Sequence, residues 1–439
     1  MRFRLAALLG ALVMLSTVLV GCAPDVRADG VIHVPAEVKT LVEAEQKAEP
    51  GDLILIAPGT YHEQLQIQTP DITVRGEDRN TVIIDGEGQR PFGIVAIADG
   101  VRVENLTVTD ATFYGVLFTG LHDESGPSAP TVNGYERWDP EQFPPLQRFL
   151  VDHVTAINNG LYGIYAFNSQ NGAIVDSYAS GSADSGLYVG QCRDCGILVQ
   201  GNVAERSAVG FENANASDSV YVLGNRFTGN RIGLTLLSNY QEAFVPQARN
   251  IVAGNLIADN TEPDSPAHVD GGFGIGIGIS GGIENRIQNN LIAGNPQAGV
   301  LFAHAEDLPA ANNALLGNAF AGNRVDIANI SAQRAMAWGN CLTSDATYTT
   351  EPAALAAALT RADCGTTLAQ GDPQPAATEV GGPAAPPGVS FRKVAQPKDQ
   401  PNLPQRDSYP RLPDAVALPA VDGFAVPGRD LLVDRAGVR

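Results

Sequence analysis

The sequence has few methionines, few tryptophans and few cationic side chains. Three Met, two Trp and 28 Lys or Arg occur in 439 residues, against 48 Asp or Glu, so the net charge is −20. A chain this acidic is repelled by phosphate backbones and anionic lipid surfaces, which removes nucleic acid from the expected partners. Hydrophobic residues make up 44% and charged residues 17%, which excludes a wholly disordered chain and a polytopic membrane protein.

The first 22 residues predict an export signal. Arg2 and Arg4 precede an apolar stretch over residues 5–20 that is too short for an ordinary spanning helix. The stretch ends in Leu-Val-Gly-Cys22, which resembles a bacterial lipobox. The resemblance implies that Cys22 is lipidated and holds the protein on the outer side of the cell membrane through the lipid alone. An uncleaved anchor and an ordinary signal peptide are the alternatives.

Five cysteines in an exported chain divide into one lipid site and two pairs. We expect disulfides between Cys192 and Cys195 and between Cys341 and Cys364. The C-x-x-C pair also fits a redox centre or half of a metal site. A redox pair usually lies at a helix N-terminus, whereas a strand-like run over 196–199 follows Cys195, so a structural bridge is the favoured interpretation.

Internal repetition is the most informative feature of the chain. A glycine opens a short apolar run at positions 163, 186, 210, 233, 276 and 299, and Gly115 lies 48 residues before the first of them, which we interpret as two periods. A second series repeats as N-x₄-N at Asn225/Asn230, Asn255/Asn260, Asn290/Asn295 and Asn318/Asn323. We attribute both series to turns, because Gly and Asn tolerate left-handed backbone conformations.

A period in the low twenties with strand-like runs predicts a solenoid. The fixed Leu/Asn frame of leucine-rich repeats is absent, and no helix pattern occurs inside the repeats. Three short strands per coil with turns between them fit better, and roughly ten to twelve such coils would stack at strand spacing. The expected fold is therefore an all-β parallel β-helix.

Three stretches carry a resemblance to a known class. Residues 53–61, 72–76 and 82–86 resemble the opening of a right-handed parallel β-helix of the pectin-lyase-like class. Residues 184–191 resemble a branch of bacterial exported β-helix proteins, many of them lipoproteins without an established activity. The resemblance covers about residues 31–345. It implies the fold more than a function, because this fold hosts lyases, hydrolases, esterases, epimerases and accessory proteins.

The expected organisation has four parts: a signal over 1–22, the β-helix over 31–345, a disulfide-stapled helical cap over 346–371 and a Pro-rich extension over 372–439. A capping-box pattern at residues 40–43 predicts a short helix that covers the N-terminal end. Residues 391–439 carry eight Lys or Arg and six Asp, so opposite charges would hold the extension to the rest of the chain. A disordered spacer is the alternative.

Alternation after each repeat glycine predicts which side chains point outward. The outward column includes Tyr165, Tyr188 and Glu212, with Gln191 and Asp184 close by. An exposed aromatic platform beside carboxylates would bind sugar rings. The alternative is that the tyrosines pack under the insertion 121–148 or under the extension.

No catalytic group can be assigned from the sequence. Glycosidases need two carboxylates about 5–10 Å apart, but Asp184 and Glu212 are expected roughly 13 Å or more apart, four strand positions and one coil away from each other. Arg231 is a weak candidate for a lyase base. His122 and His268 lie in long insertions that would wall a groove over the tyrosines, and surface loops without a ligand are the favoured alternative.

Metal and cofactor expectations are few. An acidic or amide column, at the eighth position after each repeat glycine, would suit Ca²⁺ but is more typical of side chains that close turns. The column comprises Asp123, Asn171, Asp194, Asp218, Gln241, Glu284 and Asp307. We otherwise expect no cofactor and no metal site.

Three functional hypotheses remain. The first is a monomeric, membrane-anchored scaffold that binds a polysaccharide or cell-envelope glycan. The second is a polysaccharide lyase, hydrolase or epimerase. The third is a periplasmic accessory protein that delivers metal, similar to the β-helix protein of nitrous-oxide reductase maturation, in which case Cys192 would bind copper.

Overall fold

The computed structural model describes residues 30–123, 126–127, 139, 141–343, 347–369 and 371–438. The expected signal, Cys22 and most of the loop between 121 and 148 lie outside these residues, so lipid anchoring stays a prediction. Within the described residues the chain is a right-handed parallel β-helix whose coils contribute strands to three sheets, A, B and C. No helix in this part of the chain is long and apolar enough to cross a membrane.

Sheet A contains the strands Val31–Val34, Leu53–Ile56, Thr73–Gly76, Arg102–Glu104, Leu146–Asp152, Ser169–Val175, Ile197–Gln200, Val220–Leu223, Ile251–Ala253, Arg286–Gln288, Ala314–Leu316 and Cys341–Thr343. Sheet B contains Gly59–Tyr61, Val82–Asp85, Thr107–Thr109, Thr155–Ile157, Tyr178–Ser180, Val203–Glu205, Arg226–Thr228, Leu256–Ala258, Leu291–Ala293 and Ala319–Ala321.

Sheet C contains Leu65–Ile67, Phe92–Ala96, Tyr114–Thr119, Ile164–Phe167, Ser185–Cys192, Val209–Ala216, Ile232–Leu237, Ile275–Ser280, Ala298–Ala305, Ile327–Asn329 and Thr350–Glu351. Leu308–Pro309 pairs antiparallel with Ala298–Ala305, and His122–Asp123 pairs with Gly126–Pro127. Short 3₁₀ turns occur at Gln333–Ala335, Phe391–Lys393 and Val421–Gly423.

The apolar core fills the space inside the three sheets. The side chains predicted to point inward after the repeat glycines are all part of one buried cluster, which confirms the alternation. They are Ile164, Ala166, Leu187, Val189, Leu234, Leu236, Ile277, Ile279, Val300 and Phe302. Each strand is in register with the strand one coil on, as Leu187 is with Phe211.

Two coils are much longer than the others. Val116 pairs directly with Ile164, so the 48 residues between Gly115 and Gly163 form one coil, and the prediction of two periods is wrong. The extra length is the insertion that follows the strand Tyr114–Thr119. Ile232 likewise pairs directly with Ile275, and this coil carries two excursions, residues 238–250 and 259–274.

The repeated asparagines form buried ladders between coils. One ladder joins Asn202, Asn225, Asn255, Asn290 and Asn318, and each side-chain amide contacts the next. A second ladder joins Asn230, Asn260, Asn295 and Asn323. None of the eight N-x₄-N residues has a positive φ, so the attribution to left-handed turns is wrong for them. They recur because each side-chain amide satisfies backbone groups of the coil before its own and bonds to the asparagine side chain of the coil after it.

A short helix lies near each end of the β-helix, and both predicted disulfides form. Helix α1, Leu41–Lys47, begins after Thr40, whose hydroxyl accepts the Glu43 N–H at 3.0 Å. Helix α2, Leu355–Leu359, buries Leu355 and Leu359 at the other end. Both predicted disulfides, Cys192–Cys195 and Cys341–Cys364, are present.

Residues 371–438, here called the strap, pack along the β-helix. Ion pairs join Arg392 to Asp110 at 3.2 Å, Arg406 to Asp152 at 2.6 Å, Arg429 to Asp259 at 2.7 Å and Arg435 to Asp176 at 3.3 Å. Apolar contacts add to these pairs, because Val416, Leu418 and Phe424 lie against a buried cluster on sheet A. Opposite charges therefore join the strap to the β-helix, so the strap is packed and does not form a free spacer.

Replacing Asn290 with Ala tests the ladder. The change removes the acceptor of the Asn255 N–H at 2.9 Å and the donor to Val252 O at 2.9 Å. Leaving these buried groups unpaired should lower the free energy of unfolding by about 3 kcal/mol, measured by denaturant unfolding. The exposed amide Gln64→Ala serves as control and should change it by less than about 0.5 kcal/mol. Equal effects of the two variants would contradict the ladder's role.

Candidate active site

A groove of about 490 Å³ lies on the outer face of sheet C. Its walls combine side chains of neighbouring coils with the two excursions of the long coil. The residues that matter chemically are Tyr162, Asp184, Tyr188, Glu212, Glu242 and His268. Parallel stacking places Glu212 opposite Tyr188 in the register, while Glu242 and His268 arrive on the excursions 238–250 and 259–274.

Asp184, Glu212 and His268 form a compact cluster. One side-chain oxygen or nitrogen of each lies within 4.8 Å of the others. His268 Nε2 is 3.3 Å from Asp184 Oδ1, and Ser185 Oγ lies 3.0 Å from Asp184 Oδ1 and 2.9 Å from Glu212 Oε2. The two carboxyl groups thus share the Ser185 hydroxyl, and the imidazole contacts one of them.

This proximity overturns the expected separation of roughly 13 Å between Asp184 and Glu212. The prediction counted backbone positions and kept the side chains perpendicular to the strands. In the structure Ser185 is in register with Val209, yet its hydroxyl reaches Glu212, three residues further along the neighbouring strand. The side chains therefore lean along the strands and close the gap.

Burial sets the charge of Glu212. The side chain is only 6% exposed. Burial raises the pKa of Glu212 to about 8, and the negative charge of Asp184 adds to the rise, while His268 and the Ser185 hydroxyl oppose it. Glu212 is therefore protonated at neutral pH and can donate a proton.

Glu242 is a second buried carboxyl group in the groove. The Tyr188 hydroxyl donates to Glu242 Oε1 at 2.6 Å, and Oε2 has no hydrogen-bond partner within the described residues. Burial raises the pKa of Glu242 to about 8, although the hydrogen bonds from Tyr188 and Asn239 oppose the rise. The sequence analysis did not select Glu242, since only the closing of the 238–250 excursion over Tyr188 brings it to the site.

His268 is held between two partners. Its Nδ1 accepts the Asp270 N–H at 3.2 Å, and its Nε2 faces Asp184. Burial lowers the pKa of His268, but the hydrogen bond and charge of Asp184 and the charge of Glu212 outweigh burial and raise it. The Asp270 N–H acts the other way, because Nδ1 can accept only in the neutral ring. His268 therefore orients Asp184 through Nε2–H in this arrangement.

The expected aromatic platform is not exposed. Tyr165 and Tyr188 are 2% and 1% exposed, and they belong to a buried cluster that includes Phe143 of the insertion. The alternative, in which the tyrosines pack under a cover, is correct for both rings. Tyr162, which was not selected, is the ring that lines the groove beside Tyr188, with 4.6 Å between ring centroids.

Three further sets of residues that the sequence suggested for binding or catalysis have structural roles. Gln191 is 1% exposed, and its Oε1 accepts the Ala243 N–H at 3.0 Å, so Gln191 supports the 238–250 excursion instead of facing the groove. Arg231 is buried against backbone carbonyls and is no free lyase base. Four members of the acidic or amide column have a positive φ and lie at turns: Asn171, Asp194, Asp218 and Glu284.

Two clusters in the described residues offer three potential metal ligands each. One is Asp184, Glu212 and His268, and the other is Asp152, His153 and Asp176. Each combines one imidazole with two carboxylates, a set dominated by hard oxygen donors. In the second cluster Asp152 and Asp176 already pair with Arg406 and Arg435 of the strap.

Comparison with known families identifies the chain. Residues 51–266 and 155–354 match the family described as "Periplasmic copper-binding protein (NosD)". The chain belongs to the NosD family. The NosD match spans the coils that carry the groove and both excursions of the long coil. A search of curated proteins gives no match.

Solved structures similar to this NosD-family chain are β-helix proteins. The A-module of mannuronan C-5 epimerase AlgE4 from Azotobacter vinelandii is 14% identical over 73% of this chain and 96% of its own, with a TM-score of 0.42. Pectate lyase Pel9A is 15% identical over 70% and 72%, with a TM-score of 0.40. The Dettilon tailspike protein is 12% identical over 71% and 61%, with a TM-score of 0.45. Identities this low indicate a common fold alone.

The raised pKa of Glu212 predicts a pH-dependent stability. The ordinary value is 4.5 and the folded value is about 8, so the folded state binds this proton more tightly than the unfolded state. The free energy of unfolding should therefore fall as pH rises from about 4.5 to about 8. In Glu212→Gln the fall should be smaller, as measured by denaturant unfolding at a series of pH values. Glu306→Gln, at the exposed groove edge, should follow the native slope, and a native slope in Glu212→Gln would contradict the assignment.

Proposed function

We propose that the groove hydrolyses a glycosidic bond with retention, with Glu212 as the general acid and Asp184 as the nucleophile. The supporting observation is the pair itself: a buried carboxyl group with a pKa of about 8 lies within 4.8 Å of a second carboxylate that accepts from His268. A separation this short leaves no room for a water between the two groups and is typical of retaining glycosidases, which divide the work between an acid and a nucleophile.

The balance of the proposed step is simple. Glu212 gives its proton to the leaving glycosidic oxygen while Asp184 bonds to the anomeric carbon. Water then displaces Asp184 from that carbon and gives its proton back to Glu212, which restores both groups. Ser185 and His268 hold Asp184 in place through the contacts at 3.0 and 3.3 Å. The Tyr162 ring and the unpartnered Glu242 Oε2 are suited to a sugar's C–H face and hydroxyl groups.

The charges of the groove restrict the substrate. Its acidic residues are Asp184, Glu212, Glu242, Asp270 and Glu306, and no Lys or Arg lines it within the described residues. Lyases and C-5 epimerases act on uronates, whose carboxylate needs a cation beside it. Within the described residues the groove has no Lys or Arg, and His268, whose pKa is raised, is already engaged by Asp184. The proposed substrate is therefore a polysaccharide of neutral or amino sugars, and hydrolysis is favoured over elimination or epimerisation.

Product release tests the proposal. The protein is incubated with neutral glucans and xylans, with chitosan, and with the polyuronates pectate and alginate, and new reducing ends are counted. We expect release from a neutral or amino-sugar polymer and none from the polyuronates. Glu212→Gln and Asp184→Asn should each lower release by about 100-fold or more, because the first removes the acid and the second removes the nucleophile. Glu379→Gln, which changes an exposed carboxyl group of the strap outside the groove, should retain the native rate.

The contrary results are equally informative. Retention of a polysaccharide without release would support a binding scaffold and contradict catalysis. Release of reducing ends from polyuronates alone would support catalysis but contradict the proposed class of neutral or amino-sugar substrates. Full release by Glu212→Gln would reject the assigned acid.

Copper binding, which the NosD description attaches to the family, fits the described residues poorly. Cu(I) sites use thiolate or thioether ligands, and Cu(II) sites favour several imidazoles. Cys192 and Cys195 are joined in a fully buried disulfide, as Cys341 and Cys364 are joined in theirs. Neither candidate cluster in the described residues contains more than one His or any Cys. We therefore derive no step through copper.

Equilibrium dialysis distinguishes this account from metal delivery. We expect the protein with both disulfides intact to retain no copper after dialysis against Cu(I) or Cu(II), because all four cysteines of the described residues are disulfide-bonded and neither candidate cluster contains a soft ligand. Tight retention that is lost in Cys192→Ser would contradict this expectation and favour delivery. The paired variant Cys341→Ser controls for unfolding caused by a missing disulfide.

A further inference from the structure

The excursion that carries His268 packs against the strap. Residues 259–274 contain no helix or strand, and a loop of this length needs outside contacts to hold one conformation. The strap provides them. The Val389 N–H donates to Ser265 O at 3.1 Å, and Gly388 lies so close to Ala267 that an added Cβ would be 2.3 Å from its nitrogen.

Arg231 joins the two segments. Its guanidinium donates to Ser265 Oγ at 3.0 Å and Ser265 O at 3.1 Å on the excursion. It also donates to Pro386 O at 2.8 Å and Pro387 O at 3.1 Å on the strap. Arg231 is 1% exposed and forms no ion pair within the part of the chain that the structure describes. A buried guanidinium without a carboxylate partner is costly, and these convergent acceptors, together with Pro263 O at 3.4 Å, satisfy it.

The same contacts also determine where His268 lies in the candidate site. Ser265 and Ala267 are fixed by Arg231 and by Gly388, and His268 follows directly in the chain. The position of Nε2 against Asp184, 3.3 Å away, therefore depends on residues that lie more than a hundred positions further along the chain. None of the strap residues lines the groove itself.

We propose that the strap is part of the active site: through Arg231, residues 386–389 hold the excursion so that His268 orients Asp184. Arg231 and Gly388 are positioning residues, and neither touches the substrate. The catalytic consequence rests on the proposed function, whereas the placement of His268 by the strap does not.

Gly388→Val tests this proposal with a matched control. Both Gly388 and Gly423 are exposed strap residues, and a Cβ at Gly423 would meet nothing within 4 Å. The full chain is labelled with ¹⁵N-histidine, and the His268 ring signals are assigned by their loss in His268→Gln. We expect Gly388→Val to shift these signals and to speed amide exchange over 259–274 by about tenfold. Gly423→Val should leave both unchanged.

Kinetics provide a second measurement, which would not change if the strap had only a structural role. A misplacement of His268 should lower kcat by about 100-fold, with KM near the native value, because the groove's other walls are intact. Arg231→Lys should act in the same direction, since one ammonium group cannot reach Ser265 and two strap carbonyls together. If Gly388→Val fails to fold, Gly388→Ala carries the test, because its Cβ alone meets Ala267.

The outcomes separate the two proposals. Unchanged His268 signals in a folded Gly388 variant would overturn the role of the strap, whatever the activity. Shifted signals with no product release by the native protein would support the strap and reject the glycosidase. Shifted signals with native kcat would overturn the strap's part in catalysis.

Discussion

Every coil of this β-helix depends on the coil before it and the coil after it to satisfy its buried amide groups. The asparagine ladders make this dependence specific, because each side-chain amide bonds to the next asparagine and to a backbone carbonyl of the coil before its own. A coil can therefore gain residues only where the chain leaves the stack and returns to the same register. The long coil between Ile232 and Ile275 does so twice, and both excursions reach the groove on sheet C.

The groove follows from this constraint. Parallel stacking places polar side chains of successive coils at strand spacing, and the excursions then exclude water from them. Burial keeps the pKa of both Glu212 and Glu242 near 8, so a protein of net charge −20 presents two neutral carboxyl groups in this groove. No Lys or Arg lines the groove within the described residues, which favours a neutral or amino-sugar ligand for the proposed function. The strap also supports the excursion 259–274 from outside the stack of coils.

Much of the fold could be predicted from the sequence because its signals are local. Repeat glycines, alternation, the Thr40 cap and the cysteine spacing each act within a few residues, and the structure confirms the fold, the inward residues and both disulfides. The asparagine series was found but misinterpreted, since a ladder joins residues one coil apart. The 48-residue spacing was misread as two periods for a similar reason, because only the pairing of Val116 with Ile164 shows one coil.

The site was less predictable because it depends on side-chain direction and on loops. Asp184 and Glu212 were identified as residues of interest, but their approach through Ser185 requires side chains that lean along the strands. His268 was recognised as part of a wall, whereas its bond to Asp184 depends on the strap. Glu242 gave no sequence signal, since nothing in its neighbourhood indicates that it meets Tyr188.

The most direct test of this account is the protonation state of Glu212 in the folded protein. Its carboxyl ¹³C signal, assigned by its loss in Glu212→Gln, would be followed from pH 4 to pH 10. The account predicts a midpoint of about 8, which leaves Glu212 protonated at neutral pH and able to act as an acid. A midpoint near the ordinary value of 4.5 would show a solvated carboxylate, and the groove would then contain no general acid.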